Sequence, residues 1–227
     1  MDVGKLLKTA PVKTKFAPSL PEVLAPRIDS LPRTALRVIA VAAVIVAAAV
    51  ILLAVRLRDP VFSYSGTPAF STSYTRAMAK QPTGTDGSIL SLVQRSSAGL
   101  EASFQISSLR VPRYQGEISG LLPVMASAMI ARMQAANASF VPWSRGRTRI
   151  NFVPGYAFSY QETIDGRPYW GRDVLITPHI RGDRRGLLIT LLTSPTPLIA
   201  KATTPVTPDS VGSVGVLFDP LERLRFH

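Results

Sequence analysis

The chain alternates between long apolar blocks and segments of mixed polarity. Val38 to Val55, VIAVAAVIVAAAVILLAV, is an 18-residue run with no polar side chain. At 1.5 Å per residue it would reach roughly 27 Å, close to the hydrocarbon thickness of a bilayer. Val, Ile and Leu fill 11 of its 18 positions. A core helix of that length would carry a polar stripe, and this run has none. The pattern predicts a transmembrane helix over 35–58. Arg33 and Arg37 would anchor one interface and Arg56 and Arg58 the other, their long stems reaching out of the hydrocarbon.

On either side of this run the polarity changes. Residues 1–34 hold Pro11, Pro18, Pro21, Pro26 and Pro32, a density that predicts a disordered tail. Residues 59–86 are rich in Ser, Thr and Pro and read as a stalk, with VFSYS as a candidate first strand. Residues 87–227 read as an α+β domain. SILSLVQR and LEASFQISSLRV form two strands about a Ser96–Gly99 turn, with Ala102, Phe104 and Ile106 on one face and Glu101, Ser103 and Gln105 on the other. Leu121, Leu122, Met125, Met129 and Met133 share a helical face over 120–137, with Ser119 as N-cap, Pro123 in the first turn and Asn137 at the end.

Three strand-like runs follow: TRINFVPGYAFSYQETI, RPYWGRDVLITPHI and GLLITLLTS. Asp165-Gly166 predicts a tight hairpin between the first two. Gly155 after Pro154 predicts a bend or bulge. LLITLLT is apolar at nearly every position and predicts a central strand covered on both faces. A Pro208-Asp209 signal predicts a short helix, and LRF a last strand. Strands, helix, antiparallel meander and terminal helix together predict helices packed on an antiparallel sheet.

This layout resembles the PsbP-like α/β/α sandwich group, which includes actinobacterial envelope lipoproteins and photosystem subunits. The carriers are LLPVMASAMIARM, INFVPGYAFSYQ, DGRPYWGRDVLI, RRGLLITLL and DPLERLRF, within roughly residues 60–227. The resemblance implies a binding or assembly module and carries no catalytic residue set. The chain departs from the lipoprotein members in having no cysteine to lipidate.

Charge adds a direction. The formal charge is +12, from 26 basic and 14 acidic residues. Lys5, Lys8, Lys13, Lys15 and Arg27 join Arg33 and Arg37 ahead of the apolar run. This bias places the N-terminus in the cytoplasm and the C-terminal domain outside. Arg56-Leu57-Arg58 stands where small residues precede a signal-peptidase site, which favours an uncleaved anchor. After position 58 there are 15 arginines and 2 lysines against 11 acidic residues. Such a surface suits anionic envelope components as well as the lipid bilayer, or a membrane-protein partner. An external domain disfavours nucleic acid. Ala40, Ala43, Ala47 and Ala54 share a helix face, but no Gly-x-x-x-Gly is present, so a helix-mediated homodimer is not favoured.

Most catalytic templates fail on residue inventory. There is no cysteine nucleophile. The histidines are His179 and His227, and no Gly-x-Ser-x-Gly elbow accompanies them. Lys80 and Lys201 lie in loop-like sequence. No metal-ligand spacing, phosphate loop or cofactor motif occurs. Glu162 and Asp173 are the remaining candidates for a carboxylate-dependent envelope hydrolase, which needs a facing pair across a cleft. Asp165 reads as a turn residue, and Asp173 as a surface ion-pair partner of Arg167 or Arg172. The preferred candidate is a non-catalytic basic-aromatic face that holds anions or a ligand: Arg145, Arg147, Arg149, Tyr156, Tyr160, Tyr169, Trp170 and Arg172. Arg110 and Arg113, and Arg181, Arg184 and Arg185, form further basic clusters.

Overall fold

The structure is a computed structural model that describes residues 33–83, 87–113, 118–177, 184–196, 199 and 207–227. The chain divides after Arg58 into two compact units. In the first, helix α1 spans Arg33–Leu57, 25 residues without an acidic first turn. Its described side chains, those of residues 38–50, are all exposed and all apolar. Among the described residues no helix is long and apolar enough to cross a membrane.

The second unit runs from Asp59 to His227. Its strands are β1 (Val61–Tyr64), β2 (Phe70–Ser73), β3 (Ala79–Lys80), β4 (Ser88–Ser96) and β5 (Gly99–Arg110). Helix α2 (Ile118–Ala136) precedes β6 (Val141–Ile150), β7 (Val153–Ile164), β8 (Arg167–Ile176) and β9 (Arg185–Thr193). Two 3₁₀ turns, helix α3 (Phe218–Glu222) and β10 (Arg225–Phe226) close the chain. Seven strands form one sheet in the order β3-β4-β5-β9-β8-β7-β6, and every pair is antiparallel. The small sheet β1-β2-β10 joins the beginning and the end of this unit.

Two apolar layers sandwich the large sheet. On one face α2 lays Leu122 and Ala126 over Phe158, Tyr160, Tyr169 and Leu175, with Met125, Met129 and Met133 packed around them. The expected Met-Leu face is therefore core. On the other face Leu92, Phe104, Ile106, Val174, Ile189 and Leu191 meet Phe70 from β2 and Val211, Leu217 and Leu224 from the C-terminal segment. Burying each large apolar side chain is worth about 1.5–3 kcal/mol. A one-residue slip of β5 would carry Ala102, Phe104 and Ile106 to the wrong side, so the register is strongly determined. LLITLLT lies in the middle strand, β9, as its composition predicts.

Several details differ from the sequence reading. Residues expected as a stalk over 59–86 contribute β1, β2 and β3, and they bury Phe70, Tyr74 and Met78. Ser71 and Ser73 stand on the more exposed side, and the buried Thr72 adds a polar residue to the inward row, which hid the alternation. Helix α2 starts at Ile118, so Ser119 lies inside it and Pro123 falls in the second turn, where it forgoes one intrahelical bond. TRINFVPGYAFSYQETI is not one strand. Asn151 and Phe152, at φ 46° and 71°, turn the chain between β6 and β7. Gly155 marks no bulge, because the β6–β7 register is regular there. A Cβ on it would come within 2.7 Å of the Leu175 carbonyl, so glycine is needed for close approach. Asp165 and Gly166, at φ 50° and 75°, form the predicted hairpin turn.

Gly171 lies directly opposite Tyr160 in the β7–β8 ladder, and the tyrosine ring folds across it. A Cβ at Gly171 would come within 2.1 Å of that ring. The ring covers backbone that glycine leaves bare and is itself 1% exposed. Gly171→Ala is expected to displace Tyr160 and to destabilise the domain by about 1–3 kcal/mol. A urea midpoint unchanged from wild type would show that the ring moves aside freely.

Candidate functional site

Strand β6 is the last strand of the sheet, and its alternation sorts its side chains cleanly. Arg145, Arg147 and Arg149 stand opposite Phe158, Tyr156 and Pro154 of β7, on the face that α2 covers further in. All three arginines are exposed, and Tyr156 is half-buried beside them. Arg145 Nη1 donates to Ser127 Oγ of α2 at 3.1 Å. These four residues form the part of the predicted basic-aromatic face that comes together.

The other four lie elsewhere. Tyr160 and Tyr169 belong to the core under α2. The Tyr169 hydroxyl donates to the Leu100 carbonyl at 3.1 Å. Trp170 and Arg172 alternate with Tyr169 and therefore face the opposite layer. There Arg172 Nη1 donates to the Val211 carbonyl at 3.3 Å. Burial lowers the Arg172 guanidinium from its usual value, and the Asp209 carboxylate draws it back up. Of the remaining basic and His candidates, His179, Arg181 and Lys201 lie outside the described residues, as does the tail expected over 1–34 except for Arg33 and Thr34, which are helical. His227 pairs its Nε2 with Ser71 Oγ at 2.8 Å, and Lys80 Nζ sits 4.7 Å from the Phe62 ring centre.

Three exposed apolar residues complete the β6 margin, and the sequence did not point to them. Val141 and Trp143 are each 53% exposed at one end, and Phe152 is 92% exposed at the other. The left-handed backbone costs a residue like Phe152 about 1–2 kcal/mol. Asn151 holds the turn by donating its Nδ2 to the Glu222 carbonyl at 2.9 Å and to the Leu224 carbonyl. Asparagine tolerates this conformation, whereas nothing in the propensity of phenylalanine announces it.

The carboxylates occupy different surroundings from those expected. Asp173 is not a surface ion-pair partner: it is 3% exposed, opposite Thr190 on β9 and Phe158 on β7. Thr190 hydrogen-bonds to it, and the Tyr160 hydroxyl donates to Oδ1 at 3.5 Å. Burial pushes the Asp173 carboxyl up to about 7 against these bonds. Tyr160 is raised well above the usual phenol range by burial and then by the Asp173 charge. Glu162 is half-buried, raised by burial, and accepts from Asn137 Nδ2 at 3.2 Å. Glu162 and Asp173 share a face, but Tyr160 and Gly171 fill the space between them. Neither carboxylate lines the cavities of about 320, 270 and 450 Å³ formed by the described residues.

On the opposite face a polar latch fastens the C-terminal segment. Asp209 accepts from Ser159 Oγ at 2.8 Å and from Ser144 Oγ, joining the first 3₁₀ turn to β7 and β6. Thr72 Oγ1 donates to the Pro220 carbonyl at 2.7 Å. Under this segment lies a cavity of about 270 Å³ lined by Thr148, Arg149, Arg172, Ser213 and Glu222. The Asp209 carboxylate acts on Arg172 from nearby. A second cavity, of about 450 Å³, opens between Leu100, Arg167, Tyr169 and Thr196. Among the described residues no three His, Asp or Glu side chains gather to hold a metal.

No family model matches the chain, and no curated protein matches it. Among solved structures it is similar to LpqN, described as involved in cell envelope biogenesis of Mycobacterium tuberculosis. That match has 7% identity and a TM-score of 0.50, over 74% of this chain and 90% of LpqN. It is also similar to the PsbP protein of the cyanobacterium Synechocystis (10% identity, TM-score 0.46, 75% and 94% covered). A Bacteroides thetaiotaomicron protein matches at 12% identity and a TM-score of 0.43 over 74% of this chain, which spans about half, 48%, of that protein's length. At this identity the likeness to LpqN shows the fold: an α+β domain with helices on an antiparallel sheet.

Two predictions follow from the buried polar groups. Between about pH 4 and 7 the unfolded chain has ionised Asp173 while the folded chain still holds its proton. The folded state then binds more protons, so stability should fall as pH rises, by about 1.4 kcal/mol per unit from this group. Glu162 adds in the same direction. Asp173→Asn, which is always neutral, should flatten the profile and exceed wild type above pH 7. Urea melts across that range would show it, and a wild-type stability that climbs instead would contradict the assignment. Asp209→Ala strands two serine hydroxyls and should cost about 1–3 kcal/mol. Hydrogen exchange should quicken first in 207–227, and uniform quickening would argue against a local latch.

Proposed function

We propose that the chain is a single-pass membrane protein that presents a non-catalytic binding or assembly domain outside the cytoplasm. The observation that carries this reading is α1. Its described side chains are apolar on every side, and the apolar run of its sequence continues to Val55. A helix that is hydrophobic all round needs an apolar surrounding, and a bilayer supplies one. Arg33, Arg37, Arg56 and Arg58 then stand at the two interfaces. The charge bias ahead of the run supports a cytoplasmic N-terminus.

The domain reading rests on the basic margin of β6 and on the lack of converging chemistry among the described residues. The resemblance to the PsbP-like group, with its actinobacterial envelope members, points the same way. So does the shared fold with LpqN, a protein of envelope biogenesis. The partner is then an anionic envelope component or another membrane protein. A scaffold subunit acting through α1 and the tail is the second reading, favoured if a stoichiometric complex is recovered from membranes after crosslinking.

The topology is tested by adding protease to intact spheroplasts. The domain from Asp59 should be degraded while a short N-terminal fragment stays protected and partitions with membranes. Complete protection of the domain, or release of the whole chain by alkaline washing, would overturn the reading.

A further inference from the structure

The margin of the sheet is more specific than a basic surface. We propose that the outer edge of β6 receives an extended acidic segment of a partner protein, which adds to the sheet as a further strand. This deepens the reading of the domain as a binding module and rests on it. Strand β6 ends the sheet, and no described strand pairs with its far side. Ten residues make an edge about 33 Å long. The opposite edge, β3, has only 2 residues, the usual way in which a sheet is blunted against unwanted pairing. β6 is not blunted by length.

Its charge selects among occupants. Arg145, Arg147 and Arg149 lie on one face at alternate positions. If a second copy paired antiparallel with this edge, both sets of arginines would fall in one row, and like charges across a ladder repel. The edge is therefore guarded against itself. The same row matches a strand with carboxylates at alternate positions, and guanidinium groups take carboxylates in paired hydrogen bonds. Guarding alone does not account for the ends of the edge. Trp143 and Phe152 are exposed there, and Phe152 is held outward in a left-handed conformation by the anchored Asn151. Two large apolar side chains repel nothing, but they can clamp the ends of an incoming segment. An anionic bilayer would also attract arginine and aromatics, but it offers no backbone to pair with β6. In strand addition, main-chain bonds supply affinity and alternate side chains supply selectivity.

The probe is a fluorescent peptide of ten alternating Glu and Val residues, titrated by anisotropy against the full chain in neutral detergent micelles. Two further peptides are N-methylated at the odd or at the even amides, and a fourth replaces Glu by Lys. The Glu–Val peptide is expected to bind and the Lys–Val peptide is not. One of the methylated forms should bind at least about tenfold more weakly, because its donors to β6 are gone. The variant R145E/R147E/R149E, verified as folded by circular dichroism, should exchange the preference for Glu–Val for Lys–Val. The proposal is overturned if neither methylated peptide loses affinity, since attraction would then be charge alone. It is equally overturned if the triple variant keeps the wild-type preference, or if the chain takes up phosphatidylglycerol vesicles and no peptide. Because the purified chain is used, these outcomes do not depend on the topology that the spheroplast experiment reads.

Discussion

Strand β9 is where the two halves of the domain from Asp59 to His227 become one structure. It pairs with β5 on one side and β8 on the other, and it is the fourth strand of seven. Leu187, Ile189 and Leu191 point into one apolar layer and Leu188 and Leu192 into the other. Without it the β4–β5 hairpin and the β6–β7–β8 meander would be two small sheets, each with a bare edge and one uncovered face. Both layers converge on this strand, so the positions of α2 on one side and of the C-terminal segment on the other depend on its register.

The polar groups that the sheet buries are held to the same register. Asp173 is opposite Thr190 because β8 and β9 are aligned as they are, and Tyr160 crosses Gly171 because β7 and β8 are. A carboxyl in that position is tolerated because it can keep its proton and accept from Thr190 and Tyr160. The opposite face uses an exposed carboxylate. Asp209 is exposed enough to remain hydrated on one side while it fastens Ser144 and Ser159 on the other. Fastening the C-terminal segment in turn places Asn151's acceptors, and with them the turn that holds Phe152 outward. The margin of β6 is thus positioned from both layers, through Ser127 on the α2 side and through the latch on the other.

Much of the domain was legible in the residues. The alternation of Ala102, Phe104 and Ile106, the Asp165-Gly166 turn, the Met face of α2 and the two-sided apolarity of LLITLLT are local patterns, each set by a strand or helix period. The arginine alternation of 145, 147 and 149 was legible for the same reason. What was missed depends on contacts between distant segments. Phe70, Tyr74 and Met78 look like parts of a linker until β10 pairs with β2 and the C-terminal segment covers them. The Asn151-Phe152 turn carries one permissive residue and one that resists the conformation, so only its anchoring to Glu222 and Leu224 explains it.

The candidate face divides along the same line. Period two alone separates Trp170 and Arg172 from Tyr169, so the sequence already determined that all eight residues could not share one side. Which of the remaining tyrosines stay accessible was decided by α2, which covers Tyr160 and Tyr169 and leaves Tyr156 at the border. Asp173 follows the same rule. Its neighbours in the chain, Arg172 and Arg167, suggest a surface pair, but pairing in the sheet turns it inward toward Thr190. The chain's own periodicities determined the elements and the side to which each residue points. Only the tertiary structure decided which sides are covered, because coverage depends on segments far apart in sequence meeting over the same strands.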